Sequence, residues 1–184
     1  MDLFTFYRFL DEYDLEIFTV NDVVKITGQR KSVVINTLAR WEKQGKIVRL
    51  KNQFYSLKKI ENKFLYQKLF QNTYIGLYSA LEYYGSTTQR FTNLDLITKN
   101  ILRDQVVEKI KVNFHKVKKN NFFGFKKVKI SHTEVFISSI EKTIIDCTYF
   151  SSKVYLSEIS AFIQSHKDSI DTASLVTYLN RINS

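Results

Sequence analysis

The apolar residues between Asn21 and Leu57 change period along the chain, and that change restricts the fold more than any other feature of the sequence. Val23, Val24 and Ile26 form a short helical set that opens at Asn21, a good N-cap, and stops at Gly28. A longer helix is predicted from Lys31 to Gln44, with Val34, Leu38 and Trp41 on one face, and Gly45 stops it. The pattern then becomes that of strands, Ile47 to Leu50 and Phe54 to Leu57. Lys51, Asn52 and Gln53 form the tip between them, where Asn tolerates a positive φ. Upstream, Leu3, Phe6, Tyr7, Phe9, Leu10 and Tyr13 recur at helical spacing, so Asp2 to Tyr13 reads as an amphipathic first helix.

Three helices followed by a two-stranded hairpin, all within residues 1–60, is the order of a winged helix-turn-helix. In such motifs the second helix of the pair lies in the major groove of DNA and its early residues meet base edges. If Val34, Leu38 and Trp41 face the core, then Ser32, Val33, Asn36, Thr37 and Arg40 face outward. Short polar groups, one small apolar group and one Arg suit base edges and a thymine methyl. Gln29, Arg30 and Lys31 sit at the helix start, where free N–H groups and the dipole favour phosphate. Arg49 and Lys51, on the hairpin, reach toward a flanking phosphate or the minor groove. These residues are the candidate contacts to double-stranded DNA. The alternative for the same fold is a protein-contact module, and Trp41 reads as plain core.

Charge supports the polyanion reading. The net charge is +10. It is segregated: Asn21–Lys59 and Lys99–Ile130 each carry ten Lys/Arg against two acidic residues, whereas Met1–Val20 holds one Arg against five acidic residues. A segregated positive charge favours nucleic acid. In the second block, Lys116, Lys118, Lys119, Lys126, Lys127 and Lys129 surround Phe122, Phe123 and Phe125. Such a run is ordinarily a solvated face. Its functional alternative is further phosphate contact along flanking DNA, or RNA contact through exposed aromatics.

The rest of the chain, 61–184, reads as a second domain with a small sheet flanked by helices, so the whole is α+β. A helical connector is expected over Lys58–Asn72, with the domain boundary near Ile60. Helices are expected at Thr73–Tyr84, ended by Gly85, and at Leu102–Lys111. Strands are expected at Leu94–Thr98 and Val112–Val117, and a hairpin from Lys126–Ile130 and Val135–Ile137. Ser138 or Ser139 caps a helix through Tyr149, with Glu141 at capping-box spacing from Ser138. Two last helices span about Ser157–Ser165 and Asp171–Ile182. Asp146 reads as a buried polar anchor. With no proline and only five glycines, turns must rely on Asn, Asp and Ser.

Two segments carry a family resemblance. Tyr74-Ile75-Gly76-Leu77-Tyr78-Ser79-Ala80-Leu81-Glu82-Tyr83-Tyr84-Gly85-Ser86-Thr87-Thr88-Gln89 and Ser138-Ser139-Ile140-Glu141-Lys142-Thr143-Ile144-Ile145-Asp146-Cys147 together resemble the AbiEi-type antitoxins. These belong to type IV toxin–antitoxin systems of phage defence by abortive infection. The resemblance runs from about Thr19 to Phe162, and longer members of the family continue with helices beyond the point matching Ile182. It implies a winged helix-turn-helix followed by an antitoxin domain, binding to operator repeats, and repression of the protein's own operon. It also implies a partner toxin resembling nucleotidyltransferases, counteracted without a stable complex. Symmetric operators imply a dimer on DNA.

Catalytic patterns are sparse. His115, His132, His166 and Cys147 show no paired metal-ligand spacing. Gly76, Gly85 and Gly124 stand alone, so no Gly-rich phosphate loop is present. A nuclease centre can be assembled only from Asp95, Glu108 and Lys111, whose spacing is that of ordinary surface residues. The reading is therefore a non-enzymatic regulator with no metal and no cofactor, the DNA-targeted nuclease being the alternative. No apolar run approaches the ~18–20 residues that cross a bilayer. The Met-Asp-Leu-Phe opening lacks a signal-peptide layout, and one cysteine forms no internal disulfide. A cytoplasmic location is expected, with no membrane partner.

Overall fold

The computed structural model describes residues 3–13, 15–87 and 92–183. Asp2 of the expected first helix, and Thr88 and Gln89 of the first resemblance segment, lie outside these residues, as does the side chain of Leu3. The fold is α+β and comprises two compact units. The first comprises Met1–Leu69 with Lys129–Glu134, and the second Phe70–Val128 with Val135–Ser184. Where the sequence places a boundary near residue 60, the first unit continues through Leu69, with Ile60, Leu65, Tyr66 and Leu69 buried along the extension. No helix among the described residues is long and apolar enough to cross a membrane.

The first unit runs α1 (Leu3–Glu12), β1 (Ile17–Thr19), α2 (Val20–Thr27), α3 (Lys31–Lys43), β2 (Val48–Lys51) and β3 (Phe54–Ser56). A 3-10 segment, Lys63–Leu69, takes the place of the expected helical connector. The strands form a three-stranded sheet in the order β1-β3-β2, with both pairings antiparallel. β1 was not expected, and it moves the start of α2. Thr19 is the N-cap, not Asn21: its hydroxyl accepts from the Asp22 N–H at 3.2 Å, and its own N–H donates to Asp22 Oδ2 at 2.8 Å. This reciprocal pair is a capping box that ties strand directly to helix.

Helices α1, α2 and α3 share one core with the sheet. Phe6, Leu10, Phe18, Val20, Val23, Val34, Leu38, Trp41, Ile47 and Tyr55 are all buried in it. The Phe6 ring meets Phe18 edge-on at 5.3 Å between centroids and Trp41 at 4.9 Å. These are favourable aromatic geometries, and they fix α1 against α3.

Six strands form a mixed sheet in the order β6-β7-β5-β4-β9-β8, all within the second unit except for the parts of β8 and β9 inside Lys129–Glu134. Its strands are β4 (Thr73–Ile75), β5 (Asn93–Thr98), β6 (Gln105–Val107), β7 (Ile110–Lys116), β8 (Phe125–Ile130) and β9 (Thr133–Ser138). β5 runs parallel to β7 and β4 parallel to β9, while β4–β5 and β6–β7 are antiparallel. The helices are α4 (Leu77–Tyr83), α5 (Ile140–Tyr149), α6 (Leu156–His166) and α7 (Thr172–Asn183). α5 packs against α4, α6 and α7. Tyr74, Leu77, Leu81, Ile97, Cys147, Val154, Ile159 and Phe162 form this core.

Two expectations in this unit are corrected. Thr73–Tyr84 is not one helix: Thr73–Ile75 is a central strand, Gly76 is extended at φ −141° and ψ −172°, and only then does α4 begin. The helical spacing of Tyr74 with Leu77, Tyr78 and Leu81 arises from both elements facing one core. The expected helix Leu102–Lys111 is instead the β6–β7 hairpin, turning at Glu108, which takes φ 54°. A turn of Glu and Lys carries none of the Asn or Gly signal by which hairpins are recognised.

Candidate nucleic-acid interface

α2 and α3 are joined by Gly28, Gln29 and Arg30. Gly28 is in the left-handed region at φ 66°, and its N–H donates to Val24 O at 2.9 Å, closing α2. The Thr27 hydroxyl donates to Val23 O and accepts from the Gln29 N–H, so the turn is pinned from both sides. Gly28 lacks the Cβ that disfavours this conformation in other residues. Arg30 is the N-cap of α3 and makes no side-chain cap hydrogen bond. Orphan first-turn N–H groups are thereby left to solvent or to a ligand.

At 13 residues, α3 is roughly 20 Å long. Its inner face carries Val34, Leu38 and Trp41, at 1%, 0% and 3% exposure. Ser32, Val33, Asn36 and Arg40 are exposed on the opposite face and Thr37 is half-buried beside them. Arg30 and Lys31 are exposed at the start of the helix, and Gln29 is half-buried in the turn. Sequence reasoning omitted two neighbours. Ile35 is 44% exposed on the flank of this face opposite Val33, which is 46% exposed, and Lys43 is exposed on the far turn of the same face. Helical phase alone assigns Lys43 to this face, whereas an isoleucine such as Ile35 ordinarily reads as core.

The hairpin departs from its expected form in detail. Gln53, not Asn52, takes the positive φ, at 67°. Asn52 instead accepts from the Arg49 guanidinium at 3.4 Å, which orients an otherwise exposed side chain. The register shifts between Arg49 and Lys51, placing Arg49 opposite Tyr55 and Lys51 opposite Phe54. Such an irregularity re-aims the strand and its side chains. Lys51 is half-buried, and burial lowers its pKa below the usual value.

The two resemblance segments meet in the second unit. Tyr74 of β4 donates to Asp146 Oδ2, and Lys142, one turn before Asp146 on α5, binds Oδ1. All three are buried. Glu141 does not form the expected capping box. Ser139 is the N-cap of α5, accepting from the Lys142 N–H, while Glu141 Oε1 accepts the Asp171 N–H at the start of α7.

The residues of the nuclease alternative lie in unlike settings. Asp95 is buried, with Oδ1 bonded to His115 Nε2 at 2.9 Å and to the Asn113 amide at 3.1 Å. Glu108 is in the β6–β7 turn, and Lys111 is exposed on β7. Among the described residues, no group of three or more His, Cys, Asp or Glu side chains is arranged to hold a metal ion.

No family model matches this chain, and no curated protein matches it.

Proposed function

We propose that this chain is a sequence-specific DNA-binding repressor whose first unit is a winged helix-turn-helix, with α3 as the recognition helix and β2–β3 as the wing. The observation that carries this reading is the sorting of α3. A wholly apolar face is buried, and Ser32, Asn36 and Arg40 are exposed opposite it, behind a tight glycine turn. Arg pairs bidentately with guanine and Asn with adenine in the major groove, which such a helix enters. Val33 and Ile35 offer apolar contact to thymine methyls. Arg30, Lys31, Arg49 and Lys51 supply phosphate contacts that set register.

The resemblance of Tyr74–Gln89 and Ser138–Cys147 to AbiEi-type antitoxins extends the proposal. On this reading the protein represses its own operon from the cytoplasm, as a dimer on operator DNA. It also counteracts a nucleotidyltransferase-like toxin without a stable complex. The junction of Tyr74 with Lys142 and Asp146 supports treating the two segments as one structural unit. It gives them a role in holding the fold.

A reporter fused to the protein's own upstream DNA tests the proposal. Repression by the intact protein, lost with Asn36→Ala and Arg40→Ala at equal protein level, is the expected result. Equal repression by both variants would exclude the assigned face. A second reading is favoured by Val33 and Ile35: two exposed aliphatic groups on one helix also suit a protein partner. Stable co-elution with the product of a neighbouring gene, together with no repression, would favour it.

A further inference from the structure

β5 and β7 are adjacent and parallel, and they end side by side, with Thr98 opposite Lys116. At and beyond these ends the chain carries Lys99 on one side and Lys116, Val117, Lys118 and Lys119 on the other, and these residues line a groove of about 460 Å³ together with Tyr149. The Val117 N–H donates to Thr98 O at 2.9 Å, holding the two loops together. Lys118 precedes the 3-10 turn Lys119–Asn121, and Tyr149 is the last residue of α5. Carboxyl ends of neighbouring parallel strands are a common place for ligand sites. The volume lies within the range of small-molecule sites, about 300–1,000 Å³.

The lining is unusual in its charge. Four of its six residues are lysines and none is acidic. Among the described residues, none of these four ammonium groups forms an ion pair with a carboxylate. Lys99 lies 5.5 Å from the centre of the Phe122 ring, a contact that orients it without neutralising it. Like charges gathered in one groove repel, and an anion removes that repulsion. Tyr149 adds a different chemistry. It is 49% exposed and is braced edge-on by Phe150 at 5.0 Å, leaving an aromatic surface at the groove.

We infer that this groove binds a nucleoside polyphosphate, the lysines taking the phosphates and Tyr149 stacking on the base. Duplex DNA offers phosphates, but its base faces are stacked and unavailable to Tyr149. A single strand offers base faces, but it spaces its charges one per nucleotide along the chain. A nucleoside triphosphate concentrates several charges next to one free base, which is the combination this groove presents. The site is built from residues of the second unit alone, and its test does not depend on operator binding.

Calorimetric titration of the full chain with ATP, GTP, inorganic tripolyphosphate and an oligothymidylate strand decides the matter. ATP or GTP is expected to bind once per chain. Lys116→Ala combined with Lys118→Ala should weaken binding at least tenfold, with an unchanged circular dichroism spectrum. Tyr149→Ala should weaken the nucleotide and leave tripolyphosphate unaffected. Absence of binding by all three phosphates at millimolar concentration would overturn the inference. So would nucleotide binding insensitive to the lysine variants, binding by the oligothymidylate alone, or a Tyr149→Ala variant with unchanged nucleotide affinity.

Discussion

The Tyr74 hydroxyl donates a 2.8 Å hydrogen bond to Asp146, joining a central strand to α5 across 72 positions of sequence. Lys142 completes the group, and all three residues are at most 1% exposed. Removing one member of a buried ion pair leaves an uncompensated charge and costs about 3–5 kcal/mol, whereas replacing both with apolar residues is often neutral. Lys142→Met alone should therefore be severely destabilised in urea. Lys142→Met combined with Asp146→Leu should regain most of the loss. A double variant no more stable than the single would contradict this account.

The same carboxyl gives a pH dependence. Burial raises the Asp146 pKa from the ordinary 3.8 to about 6, with Lys142 and then Tyr74 pulling against it. The folded protein thus holds this proton more tightly than the unfolded chain. The stability it contributes is fully present below about pH 4 and is lost as pH rises through about 6. Relative to the Lys142→Met, Asp146→Leu variant, the unaltered protein should lose stability as pH rises through that window. Urea midpoints of the two proteins, measured side by side, check the sign. A constant difference would contradict it.

Two glycines should respond to alanine for opposite reasons. A Cβ on Gly76 would lie 2.5 Å from Ile97 Cδ1 and 2.8 Å from its Cγ1, although the backbone at Gly76 is extended and open to any residue. Gly76→Ala should cost about 1–3 kcal/mol through overpacking, and Ile97→Val should recover part of it by removing the nearer atom. A Cβ on Gly28 meets nothing within 4 Å, but its φ of 66° is unfavourable for alanine. Gly28→Ala should cost about 1–2 kcal/mol, with no rescue from any neighbouring side chain. Thermal melts of the three variants distinguish the two mechanisms.

The capping box gives a smaller and more local effect. Thr19→Ala removes the acceptor for the Asp22 N–H and should lower stability by about 1 kcal/mol. A denaturation midpoint unchanged from the intact protein would show that the β1–α2 junction is held by packing alone.

What the sequence made legible follows from how local the cause was. α3 was readable because Val34, Leu38 and Trp41 repeat at helical spacing and Gly28 and Gly45 bracket them. Its outward face follows from the same phase, which assigns Lys43 to it as well, whereas Ile35 has the residue type of a core position. β1 was not readable, since three residues give too little alternation, and it displaced the cap from Asn21 to Thr19. Thr73–Ile75 reads as helix because a central strand buried on both faces lacks a period of two, and Tyr74 keeps helical spacing with Leu77 and Leu81. The β6–β7 hairpin reads as helix because Glu108 adopts a positive φ without being Gly or Asn. The groove at the ends of β5 and β7 was invisible for a different reason. Lys99 and Lys116 become neighbours only through parallel pairing of strands that are separated in sequence by β6.

The central claim is that α3 reads operator DNA. The most direct test is a binding titration of the intact protein and its Arg40→Ala variant against the protein's own upstream DNA, at two salt concentrations, with scrambled DNA as competitor. The account predicts binding by the intact protein that survives the competitor, and a loss of about 1–3 kcal/mol in the variant. Binding that disappears with salt, ignores sequence and is unchanged by Arg40→Ala would contradict it, leaving the positive charge as a sequence-independent attraction.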